Sequence, residues 1–290
     1  MRNPLIALGL AVVVITAGAA LADEPGIPAG LGFPVDQSGR IYRFDGNAPA
    51  GISIYRTNRA FLADERPYAT IAGGRTGLGE THALALDPAG NIYASQGGSI
   101  VVFPAHPSAG PHDEAPSAFI VGANTRVFEP MGMAFDRSAH LYVADEEYRG
   151  ILVFGEHANG NIAPSATIAG SRTGFTYPQG VALDADGNIY VSQFDPEDPE
   201  NAGAEILEFA AGASGNVTPI AKLVGADTQL RAPGRITIDT NGDISVFSND
   251  PANAGLLFAP LHAGSSDTAP IASIGKTNMW LRALTRIVRP

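Results

Sequence analysis

The stretch ALDADGNIYVSQ, Ala182–Gln193, admits three readings: a calcium loop, part of an active site, or a hairpin turn leading into a strand. A calcium loop of the EF-hand kind needs oxygen ligands at alternate positions and a distant bidentate glutamate, which this stretch lacks. Recurrence decides the matter. The same pattern appears as PVDQSGRIYRF, ALDPAGNIYAS, AFDRSAHLYVA and TIDTNGDISVF, with its aspartates at Asp36, Asp87, Asp136 and Asp239 beside Asp184. Glycine stands three residues after the aspartate in every copy except one, where Ala139 replaces it. These are turn-makers. The carboxylate is expected to accept backbone N–H groups two or three residues on, and the glycine to take the positive φ that closes a hairpin.

Further markers keep the same phase. IAGGRT, IVGANT, IAGSRT and LVGADT place Thr76, Thr125, Thr173 and Thr228 ahead of the next aspartate, and Pro130, Pro178 and Pro233 follow three of them. Between these markers run SIVVF, GILVF, EILEF and GLLF. Each copy thus reads as four short strands, a to d; in the fourth they are GVALD, NIYVSQ, EILEF and IAKLVG. Four-stranded antiparallel units repeated about every 50 residues imply an all-β propeller. The fullest copy, YPQGVALDADGNIYVS (Tyr177–Ser192), resembles the NHL-repeat propellers and their lactonase-like relatives. The resemblance covers nearly all of the chain after residue 22 and is specific for the repeat class. For activity it is unspecific, since such propellers include protein-interaction modules, amidating lyases and relatives of lactonases.

Five aspartate turns predict five blades, with six the alternative. LGFPVD is a poor inner strand for the first blade because Pro34 removes a backbone donor. Open strand edges between the first and last blades would be a liability. Residues Ala283–Val288 of the tail are therefore expected to pair with Ile41–Phe44, closing the ring with both termini.

Arg2, the apolar run Leu5–Leu21 and the small residues Ala20 and Ala22 read as a secretory signal over residues 1–22, cleaved rather than retained as an anchor. Residues 23–290 then form a single propeller domain, secreted or periplasmic and monomeric. There is no cysteine, so this exported chain must be held by its core. A net charge of −11 argues against nucleic acid and anionic membrane surfaces as partners. Charged residues make up only 16%, while 34 glycines and 22 prolines suit many short strands joined by turns.

In a meander of strands a to d, the a–b and c–d turns are expected at one end, and the b–c loops and d-to-a connections at the other. The second end varies more, and variable loops on a fixed scaffold carry binding. It offers a candidate ligand-binding set of Arg75, His82, Arg126, Glu129, Asp145, Glu146, Arg172, Gln179, Gln193, Asp195 and Arg235. The bland reading of the same residues is a solvated rim with ordinary surface pairs. Arg126, Arg172 and Arg235, from successive connections, are expected around one opening where guanidinium forks could hold an anionic group.

An amidating lyase would need several histidines around zinc. Of the six present, His106, His112, His140, His157 and His262 fall in turns away from the inner strands, leaving only His82. A lactonase-like site would need carboxylate and amide oxygens at the mouths of the inner strands, where Glu80, His82, Glu129, Met131, Tyr177, Gln179 and Arg235 stand. The acidic insertion Asp195–Gly203 could hold calcium, though a hydrated, proline-stiffened loop is its plainer reading. IGKT at Ile274–Thr277 lacks the first glycine of a phosphate loop. The reading carried forward is a non-enzymatic binding scaffold for a polar small molecule, a glycan or a protein segment, without a resident cofactor. The alternative is a metal-assisted hydrolase or lactonase.

Overall fold

The four phased strands pair as their alternating and fully apolar patterns require. The computed structural model describes residues 33–45, 50–56, 66–105, 108–195, 197, 203–248 and 255–274. The signal sequence, His106, Lys276 and the tail Ala283–Val288 lie outside the described residues. Five sheets form, one per blade, and no six-bladed arrangement is present. The second blade runs Thr81–Leu86, Ile92–Gln96, Ser99–Phe103 and Ala118–Val121; the third Pro130–Phe135, Leu141–Asp145, Gly150–Phe154 and Ala166–Ala169. The fourth runs Pro178–Leu183, Ile189–Gln193, Glu205–Phe209 and Ala221–Val224; the fifth Pro233–Ile238, Ile244–Ser248, Gly255–Phe258 and Ala272–Ile274. Strands b and c are buried on both faces because blades pack on either side. The aromatic that ends strand c explains the third sequence marker. Phe103, Phe154, Phe209 and Phe258 are all fully buried, each in a separate cluster shared with the preceding blade. Burying such a ring contributes about 1.5–3 kcal/mol.

The first blade is built differently. Its strands Ile41–Asp45, Gly51–Tyr55 and Ala69–Ala72 pair in order, but among the described residues its inner position holds only a single bridge, Val35 to Ile41. Pro34, which cannot donate, accepts instead from Tyr42 N at 3.0 Å. Phe33 and Pro34 thereby join residues 83–86, 132–135, 180–183 and 235–238 around one central channel. At Ile41 the inner place is therefore taken by Val35, whatever the tail contributes further along.

The aspartate turns are hydrogen-bonded alike in four copies and share one of the two bonds in the fifth, with one difference from expectation. The carboxylate reaches residues two and four on: Asp184 Oδ1 accepts from Asp186 N at 2.9 Å and from Asn188 N at 2.8 Å. Asp36, Asp136 and Asp239 do the same, and Asp87 accepts from Asn91 N. The second oxygen is also taken: Asn91 and Asn188 donate their side-chain amides to it at 2.7 and 2.8 Å. With both oxygens bound internally, the motif is a turn. The third residue on takes φ between 74° and 88° where it is glycine, and Ala139 is held at 59°.

The c–d connections start beside the aspartate turns, as expected, but do not stay at that end. Each climbs the outer edge of the preceding blade. Gly110–His112 pairs in parallel with Ala69–Ala72, and Gly264–Ser266 with Ala221–Val224; single bridges at Gly160 and Gly215 occupy the same place on the blades between. An open outer edge, with its unpaired amides, draws them there. At the far end each climb delivers an acidic or amide side chain. Asp113, Asn161, Asn216 and Asp267 accept from the backbone N of Arg75, Asn124, Arg172 and Asp227 at 2.7–2.9 Å. Each lies over a glycine of positive φ: Gly73, Gly122, Gly170 and Gly225. Glycine is required twice over, because a Cβ on Gly225 would lie 2.2 Å from Asp267 Cγ. The threonine marker follows directly: buried Thr76, Thr125, Thr173 and Thr228 each donate to that glycine's carbonyl at 2.7–2.9 Å.

These geometries give a graded stability series, read by urea unfolding. Gly225→Ala should cost more than about 2 kcal/mol, from the clash and the φ of 126° combined. Gly74→Ala, with nothing near its Cβ, should stay within about 0.5 kcal/mol of wild type. Asp184→Ala should cost about 0.5–2 kcal/mol, like the loss of a helix-capping carboxylate. Ala139→Gly should instead stabilise by about 1 kcal/mol, relieving a left-handed alanine.

Candidate functional site

The d-to-a connection crosses from the rim of one blade to the channel side of the next as irregular chain. Its amides need partners, and the last residue of strand b supplies them. Gln96 Oε1 accepts from Gly79 N at 3.0 Å, and Gln193 Oε1 from Thr176 N at 2.9 Å. Gln193 Nε2 also donates to Gly174 O and to Glu205 Oε1, at 2.8 and 2.6 Å. In the fifth blade the Ser248 hydroxyl donates to Arg231 O. Asp145 does this work in the third blade. Its Oδ2 accepts from Phe128 N at 2.8 Å and Glu129 N at 3.1 Å, and its Oδ1 from Tyr148 N at 2.8 Å. Both Asp145 and Gln193 are wholly inaccessible to solvent. Two of the sequence candidates are therefore braces and not ligand-facing groups, because the buried backbone beside them uses their polar atoms. Burial drives the Asp145 carboxyl pKa upward, against the lowering effect of its three backbone donors.

Four other candidates come together. His82, on strand a of the second blade, pairs through Nε2 with Glu129 Oε1 at 2.9 Å, bridging to the third blade. Glu129 O accepts from Glu146 N at 2.9 Å, and Glu146 Oε2 accepts from Gln179 Nε2 at 2.8 Å on the fourth blade. One hydrogen-bonded chain of residues thus spans three blades where their inner strands begin. Around it stand residues that sequence reading did not single out together. Arg126 Nη1 donates to Tyr148 OH at 3.4 Å, and Arg149 Nη2 to Tyr177 OH at 3.2 Å with its guanidinium 4.8 Å over that ring. Phe128, 46% exposed, lies beside them in the connection that Asp145 braces. The signal was available in DEEYRG and TRVF, where the other copies place glycine or other residues at the arginine positions.

The remaining arginines do not converge on one opening. Arg75 and Arg172 are fixed through their backbone amides where strand d ends, at the outer rim, because that is where the climbing connections reach. Arg235 belongs to strand a of the fifth blade and not to a connection; it lines the channel with its guanidinium 4.8 Å over the Phe33 ring. Its place among the inner strands lowers its pKa from the usual guanidinium value by partial desolvation, although the residue stays exposed to solvent. Apart from Arg235 the channel lining is uncharged, and its ≈ 90 Å³ holds a few waters, far short of the roughly 300–1,000 Å³ of ligand pockets. Asp195 accepts from Glu197 N at 2.9 Å, within its own loop. Among the described residues no three His, Asp or Glu side chains are grouped so as to hold a metal ion.

No protein-family model matches the chain, and no curated protein does. Similar solved structures exist. A protein of unknown function from Bacteroides caccae is 10% identical with a TM-score of 0.54, covering 86% of this chain and 82% of its own. A chain of the nidogen–laminin complex is 15% identical with a TM-score of 0.54, covering 85% and 80%. A functionally unknown protein from Desulfotomaculum acetoxidans is 12% identical with a TM-score of 0.53, covering 84% and 75%. At such identities the likeness concerns the fold alone, and the fold is a five-bladed β-propeller.

The Asp145 brace has a pH signature. Its folded pKa lies above the unfolded value of about 3.9, so the native state holds this proton more tightly. Its contribution to stability is then largest at low pH and declines as pH rises through the interval from the unfolded to the folded pKa. Asp145→Asn should remove that component. Urea unfolding of both proteins from pH 4 to 7 should show the variant's curve falling less with rising pH than that of wild type.

Proposed function

We propose that this protein is an exported, non-enzymatic binding propeller. Its ligand, a polar small molecule, a glycan or a protein segment, sits on the face formed by the b–c loops and d-to-a connections of the second to fourth blades. The observation that carries this reading is the chain His82–Glu129–Glu146–Gln179, which gathers polar groups from three blades. It links three blades through a run of side chains, whereas each rim cap ties one side chain to the backbone of one neighbouring blade. The narrow channel favours a surface ligand over one enclosed along the axis. Two of the similar solved chains come from assemblies, the nidogen–laminin complex and the mitotic checkpoint complex, which favours the protein-segment class among the three. Export rests on the apolar N-terminal run and its small-residue site.

The metal-assisted alternative would have to draw on groups that pair with one another here, Glu129 with His82 and Gln179 with Glu146. The test is to probe peptide and glycan arrays with wild type and with His82→Ala. Captured ligands should bind the variant about tenfold more weakly, equivalent to about 1.4 kcal/mol. Equal signals from the two proteins would remove this face from the binding reading. A stoichiometric metal in the purified protein, with an ester hydrolysis that a chelator abolishes, would replace it by the hydrolase.

A further inference from the structure

The third blade departs from its neighbours at two positions where the backbone is left-handed. In the d-to-a connections, the residue after the threonine takes φ of 63° and 76° at Gly77 and Gly174, but into the third blade it is Arg126 at 59°. In the b–c loops, the residue before strand c is Gly98 at 70° in the second blade, but Arg149 at 56° in the third. Side chains disfavour this conformation, and glycine adopts it freely. Gln229 at 57° shows that one such replacement occurs elsewhere in the ring. Two in one blade, both arginine and both on the same face, need a reason outside the backbone. Residues held in sparsely populated conformations cluster where function retains them.

The side chains supply that reason. Each guanidinium is steadied by a tyrosine hydroxyl, Arg126 by Tyr148 and Arg149 by Tyr177, and has further donors to offer. Among the described residues neither lies within ion-pair distance of a carboxylate, in a protein whose net charge is −11. The nearby acids are largely committed: Asp145 to backbone, Glu129 to His82 and Glu146 to Gln179, leaving exposed Glu147. Phe128 is the open aromatic beside them, since Arg149 covers the Tyr177 ring and Tyr148 packs against the core. Two cations held by neighbouring tyrosines, with an exposed aromatic two residues from one of them, suit a carboxylate next to an apolar side chain. A glycan would want several free ring faces.

We propose that the third blade carries a recognition site for a peptide segment in which an Asp or Glu side chain stands beside a large apolar one, with Arg126 and Arg149 holding the carboxylate and Phe128 the apolar group. The proposal rests on the reading of this face as the binding face and narrows its ligand.

The test uses the full chain as bait for a phage-displayed library of random 12-residue peptides, with a heparin octasaccharide as the glycan arm. Selected peptides should be enriched in Asp or Glu next to Leu, Ile or Phe. Their affinity should fall with added salt and drop at least tenfold in both Arg126→Gly and Arg149→Gly. Because glycine is the natural occupant of these slots in other blades, the melting temperature of both variants should equal or exceed that of wild type. Lowered melting temperatures would make the arginines structural and overturn the proposal. Peptides without acidic enrichment that His82→Ala weakens and the arginine variants do not would overturn it while leaving the binding face intact. Octasaccharide binding that alone depends on the two arginines would assign the site to a glycan instead. No captured peptide and no bound octasaccharide would count against both the site and the face.

Discussion

The second to fifth blades each depend on satisfying the backbone of one irregular segment, the connection that crosses from the rim of one blade to the channel side of the next. Such a crossing is neither helix nor strand, yet part of it is buried, and buried amides without partners are costly. The molecule answers with three side chains along the crossing. At the rim an Asp or Asn of the following blade caps the first amides. In the middle a buried threonine donates back to the glycine carbonyl and accepts from an amide two residues on. Near the channel the last residue of strand b takes the final amides. Ring geometry follows, because each cap ties neighbouring blades at a fixed offset.

This division of labour decides which polar residues remain free of the backbone. Asp145 and Gln193 look like ligand-facing groups by position, but the crossing has first claim on them. What is left over is local to the second, third and fourth blades: a chain of paired side chains and the arginines with their tyrosines. The channel, sealed by small and branched apolar residues from five inner segments, is scaffold in all but Arg235.

The architecture was legible because its determinants are periodic. The aspartate turn, the threonine and the strand c phenylalanine each serve one mechanical purpose five or four times over, so their phase survives divergence of everything between them. The reach of the c–d connections was hidden, since Asp113, Asn161, Asn216 and Asp267 follow loops of unequal length and are acids in two blades and amides in the other two. Their position before the proline and strand d could have shown them, but only to a reader who expected the outer edge to need covering. The candidate site was half legible. His82, Glu129, Glu146 and Gln179 could be placed by strand direction, which fixes the end of a blade on which a loop lies. Arg75, Arg172 and Arg235 could not, because distance from the axis depends on where along the crossing a residue falls. Phe128 and Arg149 were concealed by being departures from the repeat.

The caps always reach backward along the chain. The carboxylate or amide lies 38, 37, 44 and 40 residues after the backbone it secures. A blade emerging during synthesis therefore has an unfinished outer edge until most of its successor has followed. Exposed edges of that kind invite pairing between chains. Assembly thus has a direction built into it: each newly made blade locks the one before, and the vulnerable strand is always the most recent. A pause in chain delivery would leave a single open edge at the growing end, with every earlier one already covered.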